Sequence, residues 1–231
     1  MKKTAILIPA RYNSTRFPGK PLVDLDGTPM IKRVYETCVS SGLPTFVLTD
    51  DMRIYELFGP RACWIDQEQE YDNGTERCAG AVSNNMFTKY CGHYDQFINV
   101  QGDMPDITPD IIHSVVDCLN DGWDVATAYT KMKPELLADP NSVKLIHNRS
   151  YAFWFGRGTN YGSHHLGVYG YTREILEYYP KEESEHEKIE KLEQLRWLDS
   201  GTTIGVTQVD FNGIEINTPE DVEKWHSLHK K

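Results

Sequence analysis

An α/β fold with a mostly parallel central sheet, helices on both faces and an antiparallel insertion is predicted by three features of this 231-residue sequence. Short apolar runs rich in β-branched residues alternate with amphipathic stretches over residues 5–129. Between about residues 142 and 171 the alternation gives way to strand-like runs with no long helix between them. Polar, glycine-bearing segments follow directly on several apolar runs, and open α/β sheets carry their ligands at those strand ends.

The elements follow in order. Residues 5–9 (Ala-Ile-Leu-Ile-Pro) read as a buried strand. The preceding lysines give a passing likeness to a signal peptide, but Pro9 and Arg11 cut the apolar run short. Residues 30–41 place Ile31, Val34, Tyr35 and Cys38 at helical spacing and end near Gly42. Residues 45–49 form a second strand, and Asp50-Asp51 can cap a following helix. Residues 62–65 are a third strand. The turn Asp72-Asn73-Gly74 leads into a helix over 75–82. Residues 96–100 make a strand that stops at Gln101-Gly102-Asp103, 110–119 a helix, and 125–129 a strand. Residues 143–146, 151–155 and 166–171 supply the antiparallel strands. Helices over 186–198 and 219–229, the latter capped by Thr218, close the chain. Without repeats or a long linker, residues 1–231 read as a single domain with an insertion at about 142–171.

Composition narrows the function. A net charge of −10 and a pI near 5.3 disfavour nucleic acid or an anionic membrane as a partner. Mean hydropathy is −0.53, and no run of eighteen apolar residues suggests a transmembrane helix. Five scattered cysteines contain no C-x-x-C pair, so they read as reduced cytoplasmic thiols rather than a zinc site. An acidic protein that binds a polyanion must concentrate its cations locally.

Residues 9–21 do so. Pro9-Ala10-Arg11-Tyr12-Asn13-Ser14-Thr15-Arg16-Phe17-Pro18-Gly19-Lys20-Pro21 carries three cations directly after a buried strand. Arginine grips phosphate with two parallel donors, lysine adds a point charge, and Gly19 lets the backbone approach. The spacing is not that of a Walker loop. After the strand at 96–100, Asp103 places a carboxylate at the same edge, suited to a magnesium ion that takes few protein ligands and several phosphate oxygens. Asn73-Gly74-Thr75-Glu76-Arg77 reads on spacing alone as a turn that starts a helix, with a nucleotide contact through its backbone and Arg77 as the other reading. Leu192-Glu193-Gln194-Leu195-Arg196 reads as a solvated helix face or as a polar ligand site. His164-His165 precedes alternating aromatics. Adjacent strand residues point to opposite faces, so a sugar platform suits this segment better than a metal pair.

These segments together resemble the 3-deoxy-manno-octulosonate (Kdo) cytidylyltransferases, or CMP-Kdo synthetases. The resemblance rests on I-P-A-R-Y-N-S-T-R-F-P-G-K-P-L from Ile8, G-T-P-M-I from Gly27, Thr49-Asp50, G-T-E-R from Gly74 and N-V-Q-G-D from Asn99. It continues with H-L-G-V-Y-G-Y from His165, L-E-Q-L-R from Leu192 and T-P-E-D from Thr218, all in order over nearly the whole chain. It implies a Rossmann-like nucleotidyltransferase fold, a homodimer, Mg²⁺, and transfer of CMP from CTP to Kdo with release of pyrophosphate. Arg11, Arg16, Lys20 and Asp103 would then be catalytic. Pro9, Ala10, Ser14, Asp50, Gly74, Thr75 and Arg77 would join the three cations around the nucleotide. Gln101, His165, Tyr169, Glu193 and Gln194 would contact the sugar acid, and Asp103 with Asn217 the metal.

The chain departs from the family pattern at three places. Asn217 stands where an aspartate is usual, Met104 where a glutamate is usual, and the segment between Arg157 and His165 is short. Glu215 is an alternative source of the missing carboxylate. Two other readings remain open: a cytidylyltransferase for amino-Kdo or a nonulosonic acid, and a non-catalytic nucleotide sensor on the same fold.

Overall fold

The computed structural model describes residues 2–13, 17–60, 62–67 and 69–230. The first strand, β1 (Thr4–Ala10), is buried along its whole length. A two-stranded hairpin, β2 (Asp24–Leu25) and β3 (Thr28–Pro29), turns at Asp26-Gly27 with both φ angles positive, at 54° and 82°. Then come α1 (Met30–Ser40), β4 (Thr45–Thr49), α2 (Met52–Phe58) and β5 (Cys63–Ile65). Asp51 caps α2 by accepting the Arg53 N–H at 2.9 Å. Next are α3 (Gly74–Ser83), α4 (Asn85–Cys91), β6 (Gln96–Val100), α5 (Pro109–Asn120) and β7 (Val125–Thr130). The chain continues through α6 (Pro134–Leu137), β8 (Lys144–His147), β9 (Ala152–Gly156) and β10 (Ser163–Thr172). It ends with α7 (Arg173–Glu177), α8 (Glu185–Glu190), α9 (Leu195–Asp199), β11 (Ile204–Gln208) and α10 (Pro219–His229). Thr218 and Asp221 form a reciprocal capping box at the start of α10.

The main sheet runs β11-β7-β10-β6-β1-β4-β5. Pairings of β1 with β4 and β6, β4 with β5, and β7 with β11 are parallel. Period-two alternation divides the core. From β1, Ile6 and Ile8 pack with Ile31, Val34 and Cys38 of α1, Ile54 of α2 and Ile112 and Val115 of α5. Ala5 and Leu7 point the other way, to Cys78, Ala81 and Val82 of α3, Phe87 of α4 and Trp197 of α9. Helices therefore cover both faces, as the alternating pattern implied.

Three features differ from the sequence reading. The expected antiparallel run near 166–171 exists as β10, but it lies within the main sheet, between β6 and β7 and antiparallel to both. Only the β8–β9 hairpin projects from it. The continuous helix expected over 186–198 is two short helices, broken where Lys191 adopts a left-handed conformation (φ 55°, ψ 49°). An unbroken helix would separate Glu187 and Arg196 by about 13 Å along its axis. The break instead folds Arg196 back onto Glu187, with Nε–Oε2 at 2.5 Å. The sequence reading also passed over β11, where Gly205 interrupts the strand signal. A methyl group there would lie 2.4 Å from the Trp123 ring.

Candidate active site

The carboxyl ends of β1, β4 and β6 lie side by side, so residues after Ala10, Thr49 and Val100 share one edge. Pro9, Ala10, Arg11 and Lys20 line a cavity there with Tyr71, Gly74, Arg77, Gln101 and Asp103. The loop after β1 is closed at its base by the Gly19 N–H donating to the Tyr12 carbonyl at 3.0 Å. Gly19 has φ 75°, a conformation that favours glycine. The Arg53 guanidinium sits 3.3 Å from the centroid of the Tyr12 ring and pairs with Asp51, bracing the loop from α2. Lys20 Nζ meets Asp103 Oδ2 at 2.7 Å. Ser14 and Arg16 lie outside the described residues.

Two expected nucleotide contacts occupy supporting positions. Asp50 accepts from Arg77 Nη2 at 2.7 Å and reaches the cavity only through that arginine, whose buried Nη1 has no hydrogen-bond partner among the described residues. Thr75, buried at the first turn of α3, donates its hydroxyl to Glu193 Oε1 at 3.0 Å, so the Tyr171 hydroxyl donates to Thr75 Oγ1.

A second cavity opens beside the first. Gln101, Arg157, His165, Tyr169, Gln194 and Glu215 are among its lining residues, as are Glu193 and Asn217. The two cavities meet at Asp72, Asn73, Gln101 and Asp103. All five residues expected at the sugar acid therefore gather on one side of Asp103. Gln101 is held tightly: a methyl group would lie 2.9 Å from its Nε2 at Gly74 and 3.1 Å from its Cγ at Gly167. Glu193 accepts from Gln101 Nε2 at 3.2 Å and from the Thr75 N–H at 3.2 Å, and burial pushes its carboxyl pKa up. Tyr169 donates to Gln194 Oε1 at 3.2 Å, while the buried Gln194 Nε2 has no partner among the described residues.

His165 is neutral. Burial, aided by His164 and Arg157, lowers its pKa to about 3. Thr127 gives its only hydroxyl proton to the Val168 carbonyl at 2.7 Å, so His165 Nε2–H donates to Thr127 Oγ1 at 3.0 Å. Its Nδ1 is left as an acceptor.

The sequence offers Glu215 only as an alternative carboxylate to Asn217 and gives Arg157 no role, yet both line the second cavity. Arg157 donates to the Asn141 carbonyl at 2.6 Å, and Glu190 accepts from its backbone N–H at 2.9 Å, which fixes this cation at the cavity wall. Glu215 is held by the Gly167 N–H at 3.4 Å, and its pKa is raised to about 7 by burial and by the charge of Asp103. The only sequence signal for Glu215 was its position two residues before Asn217. Asp103, Glu215 and Asn217 together offer two carboxylates and an amide oxygen, a hard donor set that fits magnesium. Among the described residues no cluster of three or more His, Cys, Asp or Glu side chains could by itself hold a metal ion. Among the described residues, no helix is long and apolar enough to cross a membrane.

The cytidylyltransferase family model matches residues 5–204. The mitochondrial 3-deoxy-manno-octulosonate cytidylyltransferase of Arabidopsis thaliana is 39% identical over 97% of this chain and 82% of its own. An 8-amino-3,8-dideoxy-manno-octulosonate cytidylyltransferase of Shewanella pealeana is also 39% identical, over 94% of both chains. A solved CMP:2-keto-3-deoxy-manno-octonic acid synthetase in complex with CTP superposes with a TM-score of 0.83 at 33% identity, covering 98% of each chain.

Proposed function

Because the chain belongs to the cytidylyltransferase family, and within it to the 3-deoxy-manno-octulosonate cytidylyltransferases, we propose that it transfers CMP from CTP to a 2-keto-3-deoxy sugar acid, Kdo, and releases pyrophosphate. The observation that carries this reading is the junction of the two cavities on Gln101 and Asp103. A nucleotide in the first and a sugar acid in the second bring the α-phosphorus and the anomeric hydroxyl to one carboxylate.

The chain's own groups divide the work. Arg11 and Lys20 face the triphosphate and stabilise charge developing on the departing pyrophosphate. Arg77 Nη1, without a hydrogen-bond partner among the described residues, supplies a donor at the nucleotide wall. Arg157 supplies the cation for the sugar carboxylate, and Gln194 Nε2 and neutral His165 Nδ1 supply a donor and an acceptor for its polar groups. Holding both substrates in line is the main contribution, since phosphoryl transfer asks little covalent work of the protein. Asp103, Glu215 and Asn217 would hold Mg²⁺, which when bound polarises the α-phosphate and lowers the pKa of the attacking hydroxyl. A homodimer belongs to the same reading by family resemblance, and the five free cysteines support a reducing, cytoplasmic setting.

The test is pyrophosphate release from CTP, ATP, GTP and UTP against Kdo, 8-amino-Kdo and a nonulosonic acid. Turnover of CTP with Kdo is expected. CTP binding without turnover of any acid would overturn the reading in favour of a sensor. The Shewanella relative keeps 8-amino-Kdo as the second candidate substrate. At the metal, Asn217→Asp is expected to lower the Mg²⁺ concentration for half-maximal rate several-fold by adding a charge beside Asp103 and Glu215. An unchanged Mg²⁺ titration would remove Asn217 from the ligand set.

A further inference from the structure

We propose that Arg196 is a positioning residue that joins the walls of the two cavities, so that disturbing the sugar-side wall weakens CTP binding. The proposal rests on the cytidylyltransferase reading for which substrate fills which cavity. Arg196 is 1% exposed and touches neither cavity. Its Nε and Nη2 grip both carboxylate oxygens of Glu187 on α8, at 2.5 and 2.8 Å. Its Nη1 donates to Glu76 Oε1 on α3 at 2.6 Å and to the Pro180 carbonyl at 2.9 Å. Tyr179 lies under the guanidinium, 4.7 Å from ring centroid to Cζ.

Each carboxylate leads to a different wall. Glu187 belongs to α8, which with Lys188 forms the far side of the sugar cavity. The other oxygen of Glu76 accepts the Asp72 N–H at 2.9 Å, and Asp72 with Asn73 lines the nucleotide cavity as well. One guanidinium therefore links α8, through Glu76, to the turn that starts α3. A planar fork with five donors can serve two carboxylates at fixed angles, which a lysine cannot. The helix break at Lys191 brings residues 187 and 196 together for this contact.

The experiment measures CTP affinity by calorimetry, with no sugar acid present, in wild type, Glu187→Gln, Glu76→Gln, the double variant and Arg196→Lys. Glu187 lines only the sugar cavity, yet Glu187→Gln is expected to weaken CTP binding about fivefold. The double variant is expected to be no weaker than the poorer single variant, because both act through Arg196. Arg196→Lys keeps the buried charge and is expected to reproduce the loss, which covers the case in which a glutamine variant does not fold. A role confined to stability would lower the melting temperature and leave CTP affinity untouched, and that result overturns the proposal. So does a double variant whose losses multiply. Failure of the wild type to bind CTP would instead count against the cytidylyltransferase reading itself.

Discussion

Asp103→Asn is expected to lower the rate of pyrophosphate release by about 10²–10³, the cost of removing one charged group aimed at the reacting centre. The site of the substitution is fixed from several sides. Gly102 presses the backbone after β6 against β1, where a methyl group would lie 3.2 Å from the Pro9 carbonyl oxygen and 3.0 Å from Ile31 Cδ1. The Asp103 carbonyl accepts the Ile216 N–H at 2.9 Å, which holds the Glu215 segment beside it. Asparagine keeps this shape and an acceptor for Lys20 but removes the charge between Lys20 and Glu215. The Lys20–Asp103 pair is partly exposed, at 16% and 23%, so its loss is worth up to about 1 kcal/mol of stability. Melting temperature is therefore expected to move by a few degrees at most while turnover collapses. Near-normal turnover would remove Asp103 from the catalytic set.

The residues legible in the sequence were those whose position follows from local punctuation. Asp103 comes three residues after the buried strand β6 and Lys20 lies on the loop that follows buried β1, and the parallel sheet brings both strand ends to one edge. Asp51, Asn73 and Thr218 were legible as helix caps for the same reason. What was not legible depends on contacts between distant segments. Glu193 meets Thr75 across 118 residues and Arg196 meets Glu76 across 120, and no local period encodes either pairing. The same contacts explain the misread helix at 186–198, where local propensity favours continuation and the buried ion pair with Glu187 requires a break. Asp50 and Thr75 were placed at the nucleotide through their motifs, and the structure shows each one bracing a neighbour. Arg157 carried no signal of its own: its position follows from the β8–β9 hairpin and the short segment before β10.

Glu193 shows how such a brace reaches the chemistry. It was expected to contact the sugar acid, yet its oxygens already accept from the Thr75 N–H, the Thr75 hydroxyl and Gln101 Nε2. Its contribution therefore passes through Gln101, which stands at the junction of both cavities. Glu193→Ala leaves those three donors without their acceptor, one of them the backbone N–H at the start of α3. Buried unsatisfied donors cost about 1–3 kcal/mol each, and water entering from the cavity recovers part of this. A net loss of about 2–4 kcal/mol is expected, or about 5–15 °C in melting temperature for a chain of this size. Gln101 also loses the group that fixes its amide, so the KM for the sugar acid is expected to rise about tenfold or more in the fraction that remains folded. Glu193→Gln separates the two effects. It removes a charge that burial disfavours and retains one acceptor, so it is expected to recover most of the stability while the KM stays raised. Thermal denaturation and initial rates on the same preparations decide the matter. A Glu193→Ala protein with unchanged KM and unchanged melting temperature would mean that Gln101 is held in place by Gly74 and Gly167 alone.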